Sequence, residues 1–169
     1  MPITKISLNN FRCFKNLELS LSPGINFFFG SNGSGKTSIL ESVFIFSSGK
    51  SFKSSNLTSL INYDNDKFTL KGFDNKKGYI VEIEKSKNKT ISISLNNNKT
   101  NTNKLVKEFP CTPIHNNTFS FANASPDFRR KLVDRSIFIA ENNFSKAWFS
   151  FYRSLRQRNF LLKNNRISD

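Results

Sequence analysis

The residues Gly30-Ser31-Asn32-Gly33-Ser34-Gly35-Lys36-Thr37 fit the pattern G-x-x-x-x-G-K-[ST], with Gly33 as an extra glycine inside it. Each residue type suits the holding of a polyphosphate. Glycines let the backbone curl around phosphate oxygens, and the amides of Gly33 to Thr37 would cradle them. Lys36 would reach the β and γ phosphates, and Thr37 would offer its hydroxyl to Mg²⁺. The expected ligand is a nucleoside triphosphate with Mg²⁺.

Such a loop works at a junction between a strand and a helix, and the flanking sequence supplies candidates for both. Ile25 to Phe29 is a short apolar run without alternation, between Pro23-Gly24 and Gly30, as expected of a strand buried on both faces. After the loop, Ile39, Leu40, Val43, Phe44 and Phe46 recur at helical spacing from Thr37 onward. The loop amides then point at an anion from a helix N-terminus.

Other elements must build the sheet around this junction. Ile6 and Leu8, then Leu17, Leu19 and Leu21, alternate with polar residues as half-buried strands do, with residues 9–16 as a connection. Residues 47–51 break the helix. Phe68 to Phe73, Tyr79 to Glu84 and Ile91 to Leu95 read as antiparallel strands, joined by turns at 74–78 and 85–89. Residues 96–103 read as a polar loop, and Lys104 to Phe109 as a short helix. Ser125-Pro126-Asp127 has the chemistry of a helix start, with a capping hydroxyl, an early proline and a carboxylate, and predicts a basic helix through about Ala140. From Phe144 a second long helix carries Trp148, Phe151, Tyr152, Leu155 and Leu162, an aromatic stripe expected to be core. Base stacking on that stripe is the other reading.

A chain of 169 residues, 37% hydrophobic, can bury one sizeable core and a second small lobe. The opening residues lack a charged leader followed by an apolar stretch, and apolar runs are too short for a membrane span, so a cytoplasmic protein is expected. Cys13 and Cys111 are the only cysteines and form no metal or disulfide pattern, so both read as packing residues. The net charge is +14, and residues 129–169 carry +7 of it, with ten basic residues against three acidic ones. Seven of the eight arginines lie there. Arginine is the better bidentate phosphate ligand, which marks Arg129, Arg130, Arg153, Arg156 and Arg158 as candidate DNA contacts. A solvated helix face is the alternative.

These residues together resemble the N-terminal part of the RecF family of recombination mediators, ATPases of the ABC/SMC-like group. Lys5-Ile6-Ser7-Leu8-Asn9-Asn10-Phe11-Arg12 is similar to the family's opening strand and Asn-Phe-Arg signature, and Leu19 to Pro23 to its L-x-L-S-P approach to the loop. Glu41 and Gly49-Lys50-Ser51-Phe52-Lys53 follow as the family has them. Residues 125–134 resemble its P-x-x-R-R-x-x-L-D helix, and Gln157-Arg158-Asn159 with Leu161-Leu162 its K-Q-R-N-x-L-L segment. The chain departs from the family at Ala124-Ser125 (usually Gly-Gly), Arg135 (tryptophan), Asn116-Asn117 (Pro-Glu) and Thr112 (a glutamine that approaches Mg²⁺). His115, the only histidine, falls in that stretch without triad partners and reads as a loop or core residue.

The resemblance implies an α/β P-loop NTPase fold, an ABC/SMC-like ATPase head that is incomplete. Residues 1–120 would form lobe I with its antiparallel strands, and 121–169 the start of a basic helical lobe II. It implies ATP and Mg²⁺ as cofactors, with Arg12 near the nucleotide. It implies a weak ATPase in the full-length parent, which dimerises around two ATP molecules on duplex DNA near single-strand gaps. RecR, RecO and indirectly the RecA filament are the implied partners, in DNA replication, DNA repair and the SOS response. The aspartate, glutamate and serine-glycine signature that such heads need for hydrolysis lie far downstream in relatives. Two other readings stand beside this one. A self-contained P-loop kinase or NTPase would use Glu141 or Glu82 with the metal, Ile137 to Glu141 then being a hydrolytic strand. A truncated relic would leave Phe27 to Phe29 without a sheet neighbour and apolar surface exposed.

Overall fold

The computed structural model describes residues 3–114, 125–141 and 143–164. The chain divides into two compact units, residues 1–114 and 115–169. The boundary expected at 120/121 lies outside the described residues.

The first unit is built on an antiparallel sheet of six strands: β1 (Lys5–Phe11), β2 (Phe14–Ser20), β3 (Lys67–Asp74), β4 (Tyr79–Ser86), β5 (Ser92–Leu95) and β6 (Asn98–Lys99). Their spatial order is β2-β1-β3-β4-β5-β6. Alternation sorts the two faces, as period-two side chains require. Ile6, Leu8, Phe68, Leu70, Val81, Ile83, Ile93 and Leu95 are buried on one face. Against them pack Ile39, Ile45 and Phe46 of helix α1 (Lys36–Ser48) and Leu105 of helix α2 (Thr102–Glu108). The other face is polar, and its charges pair across strands, Lys67 with Glu84 at 2.8 Å and Lys71 with Glu82 at 3.3 Å. The hydrogen bond to Glu84 raises the Lys67 pKa above its ordinary value.

Several turns are tighter than the sequence suggests. Strand β1 runs on to Phe11, and only Arg12 and Cys13 separate it from β2. Residues 96–103, expected as one polar loop, instead hold three features. Asn96 and Asn97 both take positive φ, 49° and 63°, and make a two-residue turn into β6. Asn101 then caps α2, its side chain accepting from the Lys104 amide at 3.1 Å.

The largest difference concerns Ile25 to Phe29. This run forms no strand, and Ile25, Phe27 and Phe29 are 78%, 83% and 94% exposed. A strand buried on both faces needs a sheet neighbour, and no described strand pairs with this one. Phe28 alone of the run packs against the core.

In the second unit, α3 (Pro126–Ala140) begins as expected, with Ser125 accepting from the Phe128 amide at 3.4 Å. Residues 137–140 complete this helix and Glu141 caps it, so the hydrolytic-strand reading of Ile137 to Glu141 is overturned. Helix α4 (Phe144–Asn164) contains no buried residue. Its aromatic stripe is therefore not core as expected. Trp148 and Tyr152 are half-buried, whereas Phe151 and Leu162 are exposed. The two helices meet where the Trp148 indole N–H donates to Asp134 at 2.9 Å. No helix among the described residues is long and apolar enough to cross a membrane.

Exposure predicts how substitutions divide. Leu70→Ala, in the fully buried face of β3, should cost about 2–5 kcal/mol. Phe27→Ser or Phe29→Ser should stay within about 0.5 kcal/mol of the parent in urea unfolding. A large loss at Phe27 would show that the run packs against a neighbour in solution.

Candidate nucleotide-binding site

Gly35 is the residue on which the loop turns into α1. It stands at φ 93°, in the left-handed region, and no side chain caps the helix there. The first-turn amides are consequently free of a capping partner and can bond an anion. Space also demands glycine. A Cβ at this position would lie 2.3 Å from Cζ of Phe14 and 2.9 Å from Sγ of Cys13. The tip of the β1–β2 hairpin therefore presses directly on the loop.

Lys36 spans the loop from the other side, its Nζ donating to the carbonyls of Gly30 at 2.8 Å and Ser31 at 2.7 Å. Ser34 supports the same bend, its amide donating to the Ser31 carbonyl at 3.3 Å.

Arg12 reaches the loop from the hairpin tip, where its backbone is held at φ 54° by neighbours outside the hairpin. Its amide donates to the Leu60 carbonyl at 2.7 Å, and its carbonyl accepts from Asn62 Nδ2 at 2.6 Å. The guanidinium forks onto Glu41, with Nε to Oε2 at 2.9 Å and Nη2 to Oε1 at 3.0 Å. Glu41 is 1% exposed, and Ser51 Oγ also donates to its Oε1. A bidentate fork fixes orientation as well as distance. Arg12 is thus locked to the helix that begins with Lys36.

These elements enclose a cavity of about 400 Å³, lined by Arg12 and Cys13 of the hairpin tip, Asn32, Gly33, Gly35, Lys36, Thr37 and Ser38, and Lys53. Three cations and no carboxylate border it. This donor set fits a triphosphate: uncapped amides, converging positive charge and the Thr37 hydroxyl that a phosphate-bound Mg²⁺ would use. Gly30, Ser31 and Ser34 do not line the cavity and act through Lys36. Cys13, expected as a packing residue, is exposed at the cavity. Cys111 is partly buried. Asn62 carried no sequence signal, because its role is to satisfy the carbonyl of a residue fifty positions away.

The rival metal-binding carboxylates lie elsewhere. Glu82 sits on the polar face of the sheet against Lys71. Glu141 ends α3 in the second unit. Among the described residues no cluster of three or more histidine, cysteine or acidic side chains could hold a metal. Thr112 is exposed in an irregular segment, whereas His115, Asn116, Asn117 and Ala124 lie outside the described residues. Of the arginines marked as DNA contacts, Arg129 and Arg130 are exposed on α3 and Arg153, Arg156 and Arg158 on α4. Arg130 pairs with Asp127, and the other four have no ion-pair partner among the described residues.

The AAA domain family model matches residues 5–167. The DNA replication and repair protein RecF of Aliivibrio fischeri strain MJ11 is 35% identical over 167 residues, covering 96% of this chain and 46% of that protein. RecF of Actinobacillus succinogenes is likewise 35% identical, with 96% and 47% covered. The chain spans about half the length of the curated relatives it matches. The solved structure of the recombination mediator protein RecF with ATP, in the RecFOR pathway, superposes with a TM-score of 0.82 at 26% identity, covering 96% of this chain and 46% of that one. An SMC ATPase structure superposes at 0.61 with 20% identity, covering 79% and 98%, a likeness of fold alone. The architecture is that of a P-loop ATPase head of the ABC/SMC-like kind.

The Arg12–Glu41 pair should respond asymmetrically to substitution. Arg12→Met leaves a fully buried carboxylate with Ser51 as its remaining partner and should cost about 3–5 kcal/mol. Glu41→Gln leaves a guanidinium that is already 25% exposed and can turn to water, and should cost about 1–2 kcal/mol. Urea unfolding of both variants checks this, and equal losses would contradict it.

Proposed function

The chain belongs to the AAA domain family and is similar to the N-terminal portion of RecF; from that premise we propose that it is the ATP-binding part of a RecF-like DNA repair and replication protein. The observation that carries the reading is the convergence of Arg12, Lys36 and Lys53 on one cavity beside the uncapped start of α1. In this reading the amides of Gly33 to Thr37 bind the phosphates, and Lys36 exchanges its loop carbonyls for the γ phosphate. Thr37 would hold a Mg²⁺, which would supply neutralisation of phosphate charge. Arg12 is kept by Glu41 in one orientation, so that it meets the nucleotide without first being ordered.

ATP then acts chiefly as a ligand that switches assembly. The parent dimerises around two nucleotides on duplex DNA near single-strand gaps, working with RecR and RecO to help load recombinase in the cytoplasm. The exposed arginines of α3 and α4 take DNA phosphates, a mode with strong salt dependence and little sequence preference. A self-contained kinase or NTPase is not favoured, because neither Glu82 nor Glu141 lines the cavity.

Titration of the 169-residue chain with ATP·Mg²⁺ and with a fluorescent gapped duplex tests the reading. Lys36→Ala should weaken ATP binding at least about tenfold, the loss of one charge-assisted contact. Arg129→Ala/Arg130→Ala should weaken DNA binding and reduce the slope of log affinity against log salt by about 2. Rapid hydrolysis independent of DNA would instead indicate a self-contained enzyme. Failure to bind either ligand would indicate an inactive relic.

A further inference from the structure

Strand β3 accompanies β1 only as far as Asn9, and for the last residues of β1 the short segment 60–62 takes its place. Phe11 bridges Ile61 in antiparallel register, the Asn62 amide donates to the Asn10 carbonyl at 2.8 Å, and the Arg12 amide donates to the Leu60 carbonyl at 2.7 Å. The next bond comes from a side chain. Asn62 Nδ2 donates to the Arg12 carbonyl at 2.6 Å, which carries the pairing one step past the backbone of the segment. The same amide is held at its other end, where Oδ1 accepts from Asn65 Nδ2 at 3.2 Å.

That bond falls where the backbone is under strain. Asn10 and Arg12 stand at φ 51° and 54°, on either side of the fully buried Phe11, and a non-glycine residue keeps a left-handed conformation only while its surroundings oppose relaxation. The strained residue is also the one that delivers charge to the cavity. Its guanidinium forks onto Glu41, and both Arg12 and the following Cys13 border the space beside the phosphate loop, whereas Asn62 does not. We propose that Asn62 is a positioning residue for nucleotide binding, acting through Arg12. Glu41 fixes the far end of the arginine and Asn62 the near end, so that the cation meets phosphate without first being ordered. Without the Asn62 amide the peptide after Arg12 is free to turn, and the guanidinium stays with Glu41 but is no longer aimed at the ligand. The inference rests on the nucleotide reading above and deepens it, by assigning part of the affinity to a residue outside the cavity.

The full chain is titrated with ATP·Mg²⁺ at low and at high salt, with urea unfolding to show that each variant is folded in the assay. Asn62→Ala should weaken ATP binding about fivefold at low salt, the order of one hydrogen bond. It should also flatten the dependence of affinity on salt although no charge has been removed, because a cationic contact that salt would screen has already been lost. Asn62→Ser, whose shorter hydroxyl does not reach the Arg12 carbonyl, should behave in the same way and keeps a polar group at this half-buried position. In an Arg12→Lys background, which keeps the charge beside Glu41 but not the fork, Asn62→Ala should change the affinity by less than about twofold, since members of one network are not additive. Asn56→Ala removes the side-chain cap of the neighbouring 3₁₀ turn (Leu57–Leu60) and should stay within about twofold of the parent, as a site independent of Arg12. Unchanged affinity in Asn62→Ala, or its full effect persisting beside Arg12→Lys, would overturn the proposal. So would an equal loss in Asn56→Ala, or a weakened affinity with the salt dependence of the parent, either of which would mark a general loosening of the fold. A parent that fails to bind ATP, or binds it equally well with Lys36→Ala, would remove the nucleotide reading itself, whereas binding that depends on Lys36 and not on Asn62 would remove only this inference.

Discussion

The buried carboxylate of Glu41 is the constraint on which the first unit's site depends. A charge that is 1% exposed must be compensated inside the protein, and here the Arg12 fork and the Ser51 hydroxyl do so. Those partners come from the β1–β2 turn and from the chain just after α1. One carboxylate therefore ties a hairpin tip, the phosphate-loop helix and the segment leading to Lys53 into a single arrangement. Replacing the carboxylate by an apolar residue could preserve packing, but it would leave the guanidinium without a fixed direction. The turn itself is held from behind by Leu60 and Asn62, so Arg12 is fixed at both backbone and side chain.

The second unit follows a different physical logic. Its helices bury no residue among those described; the Trp148 indole joins α4 to α3 through Asp134, and the ring-on-ring contacts of Trp148, Phe149, Phe151 and Tyr152 lie within α4. Positive charge there is spread over exposed arginines, and Arg129, Arg153, Arg156 and Arg158 have no ion-pair partner among the described residues. A surface of this kind loses little by remaining solvated and gains when a polyanion releases its counterions. The first unit concentrates three cations on a cavity, while the second distributes them along helix faces. Point-like and extended anions respectively suit these two distributions.

Much of this was legible in the residues, and what was not has physical reasons. The loop pattern located residues 30–37 because glycine, lysine and threonine at fixed spacing have few other uses. Strand alternation located β1, β3, β4 and β5 because a half-buried sheet imposes period two. The asparagines at 96 and 97 read as loop composition in the sequence, although their tolerance of positive φ is what lets two residues reverse the chain. Phe27 and Phe29 misled because an apolar run signals the need for burial, not its fulfilment. The α4 stripe misled in the same way. Asn62 and the pressing of Phe14 on Gly35 are long-range contacts, which periodicity does not encode.

From Ser22 to Ser34 every side chain is exposed except that of Phe28. A strand set between two others is secured by a ladder of bonds that open together, whereas this stretch is held by the Phe28 ring and by the Lys36 ammonium on the Gly30 and Ser31 carbonyls. Its amide protons should therefore exchange with solvent through small local openings, while those of β1 and β3 wait for the whole unit to come apart. The arm that delivers the phosphate loop is in this sense a separate cooperative element, anchored at Phe28 and at Lys36.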